Sequence, residues 1–405
     1  MTSGHWAPFS TRHRRRRPRV SRSSAFSSPP DPSAPFGLYI HVPFCARRCD
    51  YCAFATWDDR EHLLPAYVAG VVAEMRAAAR VGLPAATSVF FGGGTPSLLS
   101  DGQMGAILEQ VQLAEGAEVT VECNPDDVSV ERLAGYRREG VTRISLGVQS
   151  MVPHVLVALG RLHDIDNVKA AVDAIHQVGF DSFNLDLIYG TVGESPEDWA
   201  RSVHAALALD PPHVSAYGLT VEAGTPLAND PGRAPDDDDQ ADKYNVADAL
   251  LGEAGLVNYE ISNWAVPGQE CRHNLLYWSQ GDYRGFGCAA HSHERGRRWW
   301  NVRTPERYLA LVEAGESAEG GAEVLDEPER AIEALQLALR TREGVPTWAL
   351  PADDIAEGGV LGGLVVTRGD RLVLTQKGRL LANEVALALM VGGDPVPSGL
   401  DETGS

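Results

Sequence analysis

From residue 36 onward, apolar residues recur in short runs separated by Gly, Pro, Asn and Asp. Six runs read as strands: FGLYIHV (36–42), TSVFFG (87–92), EVTVEC (118–123), RISLGV (143–148), SFNLDLIYG (182–190) and HVSAYGL (213–219). Longer segments with helical spacing lie between them. Examples are LLPAYVAGVVAEMRAAARVG (63–82) and VERLAGYRREG (130–140), the second ending on Gly140, a good C-cap residue. Six strand–helix units in series predict an α/β fold with a mostly parallel sheet, either partly closed into a barrel or open and doubly wound. NDPGRAPDDDDQADKY (229–244) reads as a loop whose acidic run starts a helix rather than binds a cation. Residues 301–342 read as helices. Residues 363–390 read as strand, turn at Gly369–Asp370, strand and helix, the outline of a small winged-helix-like appendage. The last fifteen residues read as a frayed end.

Length and charge bound the rest. A chain of 405 residues, 44% hydrophobic, can build a barrel-sized domain and a smaller one. Its apolar runs fall far short of the ~20 residues that span a bilayer. There is no apolar signal region, so a cytoplasmic location without membrane insertion is expected. The net charge of −20 conceals an asymmetry: residues 1–35 carry seven Arg and one Asp, +6, which leaves −26 for the remainder. A body that acidic argues against nucleic-acid binding and suits a protein partner better. The basic, Ser-rich start reads as a disordered tail, with an organelle transit peptide as the alternative.

The six cysteines are Cys45, Cys49, Cys52, Cys123, Cys271 and Cys288. In a long chain without a signal peptide, a metal or cluster is a better reading than disulfides. The first three crowd into HVPFCARRCDYCAF (41–54), close enough on one loop to bind one inorganic centre. A structural zinc takes four protein ligands. An iron–sulfur cube takes four thiolates when the protein ligates it fully, so three leave one iron open for chemistry. Polar residues close or follow several strands, which suits ligand recognition: Glu122, Gln149, Arg161 and Asp186, with Thr95 after a glycine run.

CxxxCxxC with an aromatic, Tyr51, before the last Cys resembles the radical S-adenosylmethionine (SAM) superfamily. The resemblance implies a partial (β/α)6 TIM-like barrel over residues 36–260. It also implies a [4Fe–4S] cluster on Cys45, Cys49 and Cys52, SAM at the open iron, and an external one-electron reductant. The implied SAM contacts are Tyr39, Tyr51, Gly93, Gly94 and Thr95 of FFGGGTPSLL, then Glu122, Gln149, Arg161, Asp186 and the backbone of Gly218.

Within the superfamily, YIHVPFC, RISLGVQS, DLIYG and VSAYGLTVEAGTPLA resemble the oxygen-independent coproporphyrinogen III oxidase group, over about residues 36–390. That group holds an oxidase branch, HemN, and a haem-chaperone branch, HemW. Phe54 stands where the oxidase carries a fourth Cys. CRHNLLYW (271–278) is similar to the HNxxYW signature of the chaperone branch, which assigns His273, Asn274, Tyr277 and Trp278 to a haem-associated segment, 261–300, before a helical and winged-helix-like domain, 301–405. An extended backbone there would put Cys271 and His273 on one side, both usable as axial ligands. His291 and His293 are further candidates. The function implied is haem carriage to an acceptor haem protein, soluble or membrane-associated. The alternatives are oxidative decarboxylation of coproporphyrinogen III and a binding module whose three Cys hold zinc.

Overall fold

Alternation inside the six strand runs shapes the sheet. Fully buried parallel strands usually read as continuous apolar runs. Here every second residue is polar or small, so one face of each strand differs from the other. The computed structural model describes residues 34–390; the basic tail expected at the start and the frayed end at 391–405 lie outside the described residues, apart from Ala34 and Pro35. The strands are β1 (Phe36–Val42), β2 (Ala86–Gly93), β3 (Leu113–Cys123), β4 (Arg143–Gln149), β5 (Phe183–Tyr189) and β6 (His213–Gly218). They pair in parallel and in chain order. A doubly wound sheet would place β1 inside the order and reverse direction from it, so the chain adopts the open-barrel alternative.

Leu38, Ile40, Val42, Val89, Phe91, Val119, Val121, Ile144, Leu146, Leu185, Leu187 and Val214 form the convex apolar face. Against it pack α1 (Leu64–Arg80), α2 (Asp101–Leu108), α3 (Val130–Arg138), α5 (Ile165–Val178), α6 (Pro196–Leu207) and α7 (Asp237–Glu253), whereas α4 (Pro153–Ala158) joins a separate cluster with Ile188, Leu219 and Leu227. Local chemistry starts these helices where the sequence places them. Ser100, Asp164 and Ser195 make capping boxes, and Asp236 caps α7 so that its acidic run forms the first turn. Gly140, at φ +100°, follows the end of α3. The alternate strand residues face the concave side: Tyr39, His41, Ser88, Glu118, Glu122, Arg143, Ser145, Asn184, Asp186, His213 and Ser215. The barrel lumen is therefore polar and titratable, while the core lies between strands and helices.

The sheet continues past both ends of the parallel set. Beyond β6 come β8 (Asn263–Ala265) and β7 (Val257–Glu260), both antiparallel to their neighbours. Between them and the next strands lies α8 (Arg272–Trp278). Beside β1 lie β9 (Asp282–Phe286), β10 (His291–Glu294), β11 (Arg297–Asn301) and, after α9 (Pro305–Glu313), β12 (Glu319–Val324). Residues 301–342 are thus not all helical, since β12 is an edge strand of the twelve-stranded sheet. Its EGGAEV run has glycines that suggest a break. The ring of Trp300 lies 2.6 Å from where a Cβ on Gly321 would sit, so the glycine is there for packing.

After α10 (Glu327–Leu339), a second core gathers Leu339, Val345, Leu372, Leu374 and Val385. It holds the three-stranded sheet of β13 (Val345–Pro346), β14 (Val365–Arg368) and β15 (Arg371–Leu374), and three short helices, α11 (Ala352–Ile355), α12 (Gln376–Leu380) and α13 (Ala382–Leu387). The turn falls at Gly369–Asp370, with Gly369 at φ +62°. The Arg342 N–H donates to the Tyr259 carbonyl at 3.0 Å, and Arg379 grips Asp248 with two bonds of 2.9 and 2.6 Å, tying this unit to the barrel.

Candidate functional site at the barrel mouth

The loop after β1 carries the three thiols and is pinned by backbone bonds. The Cys45 N–H donates to the Trp57 carbonyl at 3.0 Å, and Trp57 N–H returns to Pro43 at 2.8 Å. From the neighbouring strand end, Gly94 and Thr95 N–H groups donate to Val42 (2.7 Å) and Phe44 (2.8 Å) carbonyls. A Cβ on Gly94 would lie 2.5 Å from the Phe44 oxygen and 3.0 Å from Cys45 Sγ, so the glycine run exists to let the two loops touch. His41, below the loop, donates from Nε2 to the Ala55 carbonyl and accepts the Tyr39 hydroxyl at Nδ1, each at 3.0 Å. Burial lowers its pKa to about 4, so the ring is a neutral strut.

Cys45 is buried, and Cys49 and Cys52 are half-buried. Burial pushes the Cys45 thiol up to about 12 and raises Cys52 as well. The three thiols line one cavity. Three thiolates are one short of the four protein ligands of a structural zinc, and on an iron–sulfur cube they would leave one iron open. That donor set fits an iron–sulfur cluster better than a single zinc.

The cavity, about 770 Å³ with its mouth, gathers most of the residues expected from sequence: Tyr51, Gly93, Gly94, Thr95, Glu122, Gln149, Arg161 and Asp186 join the three Cys. Arg161 donates to Cys49 Sγ at 3.5 Å, to Asn124 Oδ1 at 2.8 Å and to the Gly147 carbonyl at 3.1 Å. A cation beside the thiol offsets charge there. Glu122 accepts from the Gly93 N–H at 3.2 Å, and burial raises its pKa. Asp186 accepts from Ser145 (2.9 Å) and Asn184 (2.7 Å). Gln149 sits at φ +65°, a conformation uncommon for a side-chain-bearing residue and concentrated at functional sites. Tyr39 lies below the cavity, its ring stacked on Phe90 at 6.4 Å, and Gly218 ends β6 against the Gln240 amide. Sequence reasoning missed Asn124, Ser145, Tyr217 and His41. The signal was the period-two alternation, which puts Ser145 and Tyr217 on the concave face.

The HNxxYW residues lie at the opposite end of the strands. Helix α8 closes the lumen beside Gly37 and Ser88, at the start of β1 and β2. Five residue steps along β1 take the chain from Gly37 to Val42, roughly 17 Å. Residues 272–278 are helical, not extended, so Cys271 and His273 do not share a strand face. Glu118 of β3 caps this helix, accepting from the backbone N–H of Arg272 (3.1 Å) and His273 (3.2 Å) and from the Cys271 thiol (3.5 Å). The His273 ring is fully buried, stacks on Phe90 at 5.4 Å, and has both nitrogens engaged: Nδ1 with Ser88 Oγ at 2.9 Å and Nε2 with the Tyr277 hydroxyl at 2.8 Å. An iron reaches neither nitrogen without displacing one of these partners. Asn274 donates to the Tyr259 hydroxyl (3.3 Å) and to Glu260 Oε1 (3.5 Å). The Trp278 indole N–H is buried with no acceptor. His293 is engaged at both nitrogens, by the Gly281 carbonyl and the Gly296 N–H, whereas His291 is exposed and stacks on Trp300 at 5.8 Å.

Residues 39–206 match the model of the Radical SAM superfamily. The chain is 43% identical over 381 residues to the "Heme chaperone HemW" of Mycobacterium tuberculosis, covering 89% of this chain and 96% of that protein. It is 33% identical over 372 residues to that of Bacillus subtilis, covering 86% and 97%. Coproporphyrinogen III oxidase (HemN) of Escherichia coli, described as a radical SAM enzyme, has a similar structure, with a TM-score of 0.77 over 88% of this chain and 90% of that one. At 23% identity that likeness shows the fold. No helix among the described residues is long and apolar enough to cross a membrane. With near-full-length identity of this order, the chain belongs to the radical SAM superfamily, whose members carry a [4Fe–4S] cluster and SAM, and within it to the HemW family.

Proposed function

We propose that the chain is a haem chaperone that binds haem and passes it to an acceptor haem protein. The observation that carries this reading is the identity of 43% and 33% to proteins named haem chaperones, over nearly the whole chain. Phe54, in place of the oxidase's fourth Cys, points the same way. Cys45, Cys49 and Cys52 hold the [4Fe–4S] cluster, and the cavity beside them holds SAM. When bound, the cluster supplies an electron donor and an open iron. The chain supplies the rest: Arg161 offsets charge beside Cys49, and Glu122 and Asp186 offer carboxylates to ammonium and hydroxyl groups. Gly93 and Gly94 let backbone approach the ligand, Thr95 and Gln149 add polar contacts, Tyr51 adds an aromatic wall, Tyr39 braces the cavity from below through His41, and Gly218 ends β6 beside it.

Haem carriage is assigned to the α8 segment, His273, Asn274, Tyr277 and Trp278, at the far end of the strands. His273 would ligate a haem iron only once Ser88 or Tyr277 gives up its ring nitrogen. The electron for the cluster comes from an external reductant, and the acceptor is soluble or membrane-associated.

The test is anaerobic reconstitution followed by iron, sulfide, zinc and haem analysis. The expected result is iron and sulfide in equal amounts, and a Soret band on haem addition that weakens in His273→Ala. Failure to take up haem refutes the reading. Conversion of coproporphyrinogen III to protoporphyrinogen IX would establish the oxidase alternative, and zinc without iron the third.

A further inference from the structure

The two signature segments lie at opposite ends of the lumen, yet one hydrogen-bonded line joins them. Its sense follows from the partners. Asn184 Nδ2 donates to Asp186 Oδ1 (2.7 Å) and to Ser145 Oγ (2.9 Å), so its Oδ1 is left as an acceptor. That oxygen takes the Ser215 hydroxyl at 3.1 Å and the Nδ1–H of His213. With its proton on Nδ1, His213 presents a bare Nε2, and the Tyr259 hydroxyl, 2.9 Å away, donates to it. The Tyr259 oxygen then accepts from Asn274 Nδ2 at 3.3 Å, while the second Asn274 proton reaches Glu260 Oε1 at 3.5 Å. Burial, and then the charge of Arg143, keep the His213 pKa well below its ordinary value, so the imidazole is neutral and the order of donors is single-valued. Asn184, His213 and Tyr259 are all buried, and bulk water does not replace a missing link.

We propose that His213, Tyr259 and Asn274 are positioning residues that couple α8 to Asp186, so that occupancy of the SAM cavity and the state of the haem-associated helix depend on each other. The idea rests on the cavity being the SAM site and, for its second arm, on haem binding at α8. A ligand that draws on Asp186 competes for the Asn184 bond and re-weights every donor down to Asn274. By linkage, whatever moves Asn274 changes SAM affinity by the same factor that SAM changes its affinity.

The experiment uses the anaerobically reconstituted full chain. Hydrogen exchange over residues 271–278 is measured with and without SAM, an arm that needs no haem. SAM is expected to change exchange there severalfold, and Tyr259→Phe, which removes one hydroxyl, to abolish the change while keeping cluster absorbance. Should Tyr259→Phe fold poorly, Asn274→Ala on the half-buried helix face replaces it in this haem-free arm alone. In the second arm, SAM affinity is titrated with and without haem. The wild type should show a shift of about 5-fold or more, and the variant a shift within about twofold. A SAM-insensitive α8 in the wild type, or full sensitivity in both variants, overturns the coupling. If haem does not bind, the chaperone reading fails and the exchange arm alone decides the relay. A merely structural role for Tyr259 would alter stability and leave the SAM response of α8 intact, which also overturns the proposal.

Discussion

Glu260 ends β7 with its side chain 2% exposed, where the barrel meets the second unit. Its Oε1 accepts from the side chains of Asn263 and Asn274, its Oε2 from the Ser262 N–H at 3.4 Å, and its backbone bridges to Thr341. Burial outweighs these bonds and lifts the carboxyl from 4.5 to about 7. An acid with a raised folded pKa stabilises the fold while protonated. That contribution is complete below about pH 4.5 and is lost as pH rises through about 7, where the folded chain must ionise a buried group. The gap corresponds to roughly 3 kcal/mol. Glu260→Gln keeps an acceptor for both asparagines and cannot ionise. Its cost at Ser262 is the same at every pH. Denaturation in urea at pH 5, 6, 7 and 8 should therefore show the variant gaining on the wild type as pH rises, by roughly 2–3 kcal/mol over this range. A difference that stays flat from pH 5 to pH 8 refutes the argument that burial controls this carboxyl.

The geometry sets four further outcomes. Gly94→Ala forces a Cβ to 2.5 Å from a carbonyl oxygen and should cost about 1–3 kcal/mol and lower bound iron, read by melting and iron analysis. Gly102→Ala, exposed in α2 with nothing within 4 Å, should be neutral or stabilise by up to about 1 kcal/mol, read by melting. Glu118→Ala strips α8 of its cap and should destabilise by about 1–3 kcal/mol, with faster hydrogen exchange over 272–278 and an unchanged cluster. Arg161→Met removes the cation beside Cys49 and should lower the cluster's reduction potential, measured by redox titration, with SAM affinity reduced as well.

Local chemistry made much of the molecule legible. The six runs mark β1 to β6 within a residue or two at most ends, because strand pattern and capping residues are short-range. The Cys45–Cys49–Cys52 spacing needs no fold to place three thiols on one loop. The apolar runs, read as blocks, hid the alternation that assigns Ser145, Asn184 and His213 to the lumen.

Other features depend on residues far apart in the chain. EGGAEV becomes β12 because β11 pairs with it and Trp300 occupies the space over Gly321. CRHNLLYW becomes a helix because Glu118, more than 150 residues earlier, accepts its first free N–H groups. His273 looks like a ligand in sequence, and only the packing of Ser88, Phe90 and Tyr277 shows its ring nitrogens to be engaged. By itself the sequence determined the βα series, the three-thiol loop and most residues of the cavity, since spacing and strand ends carry that information. Tertiary structure decided that the thiol loop and the HNxxYW helix occupy opposite ends of one polar lumen. The physical reason is that a parallel strand separates its two ends by its full length, while hydrogen bonds between distant strands bind those ends into one network.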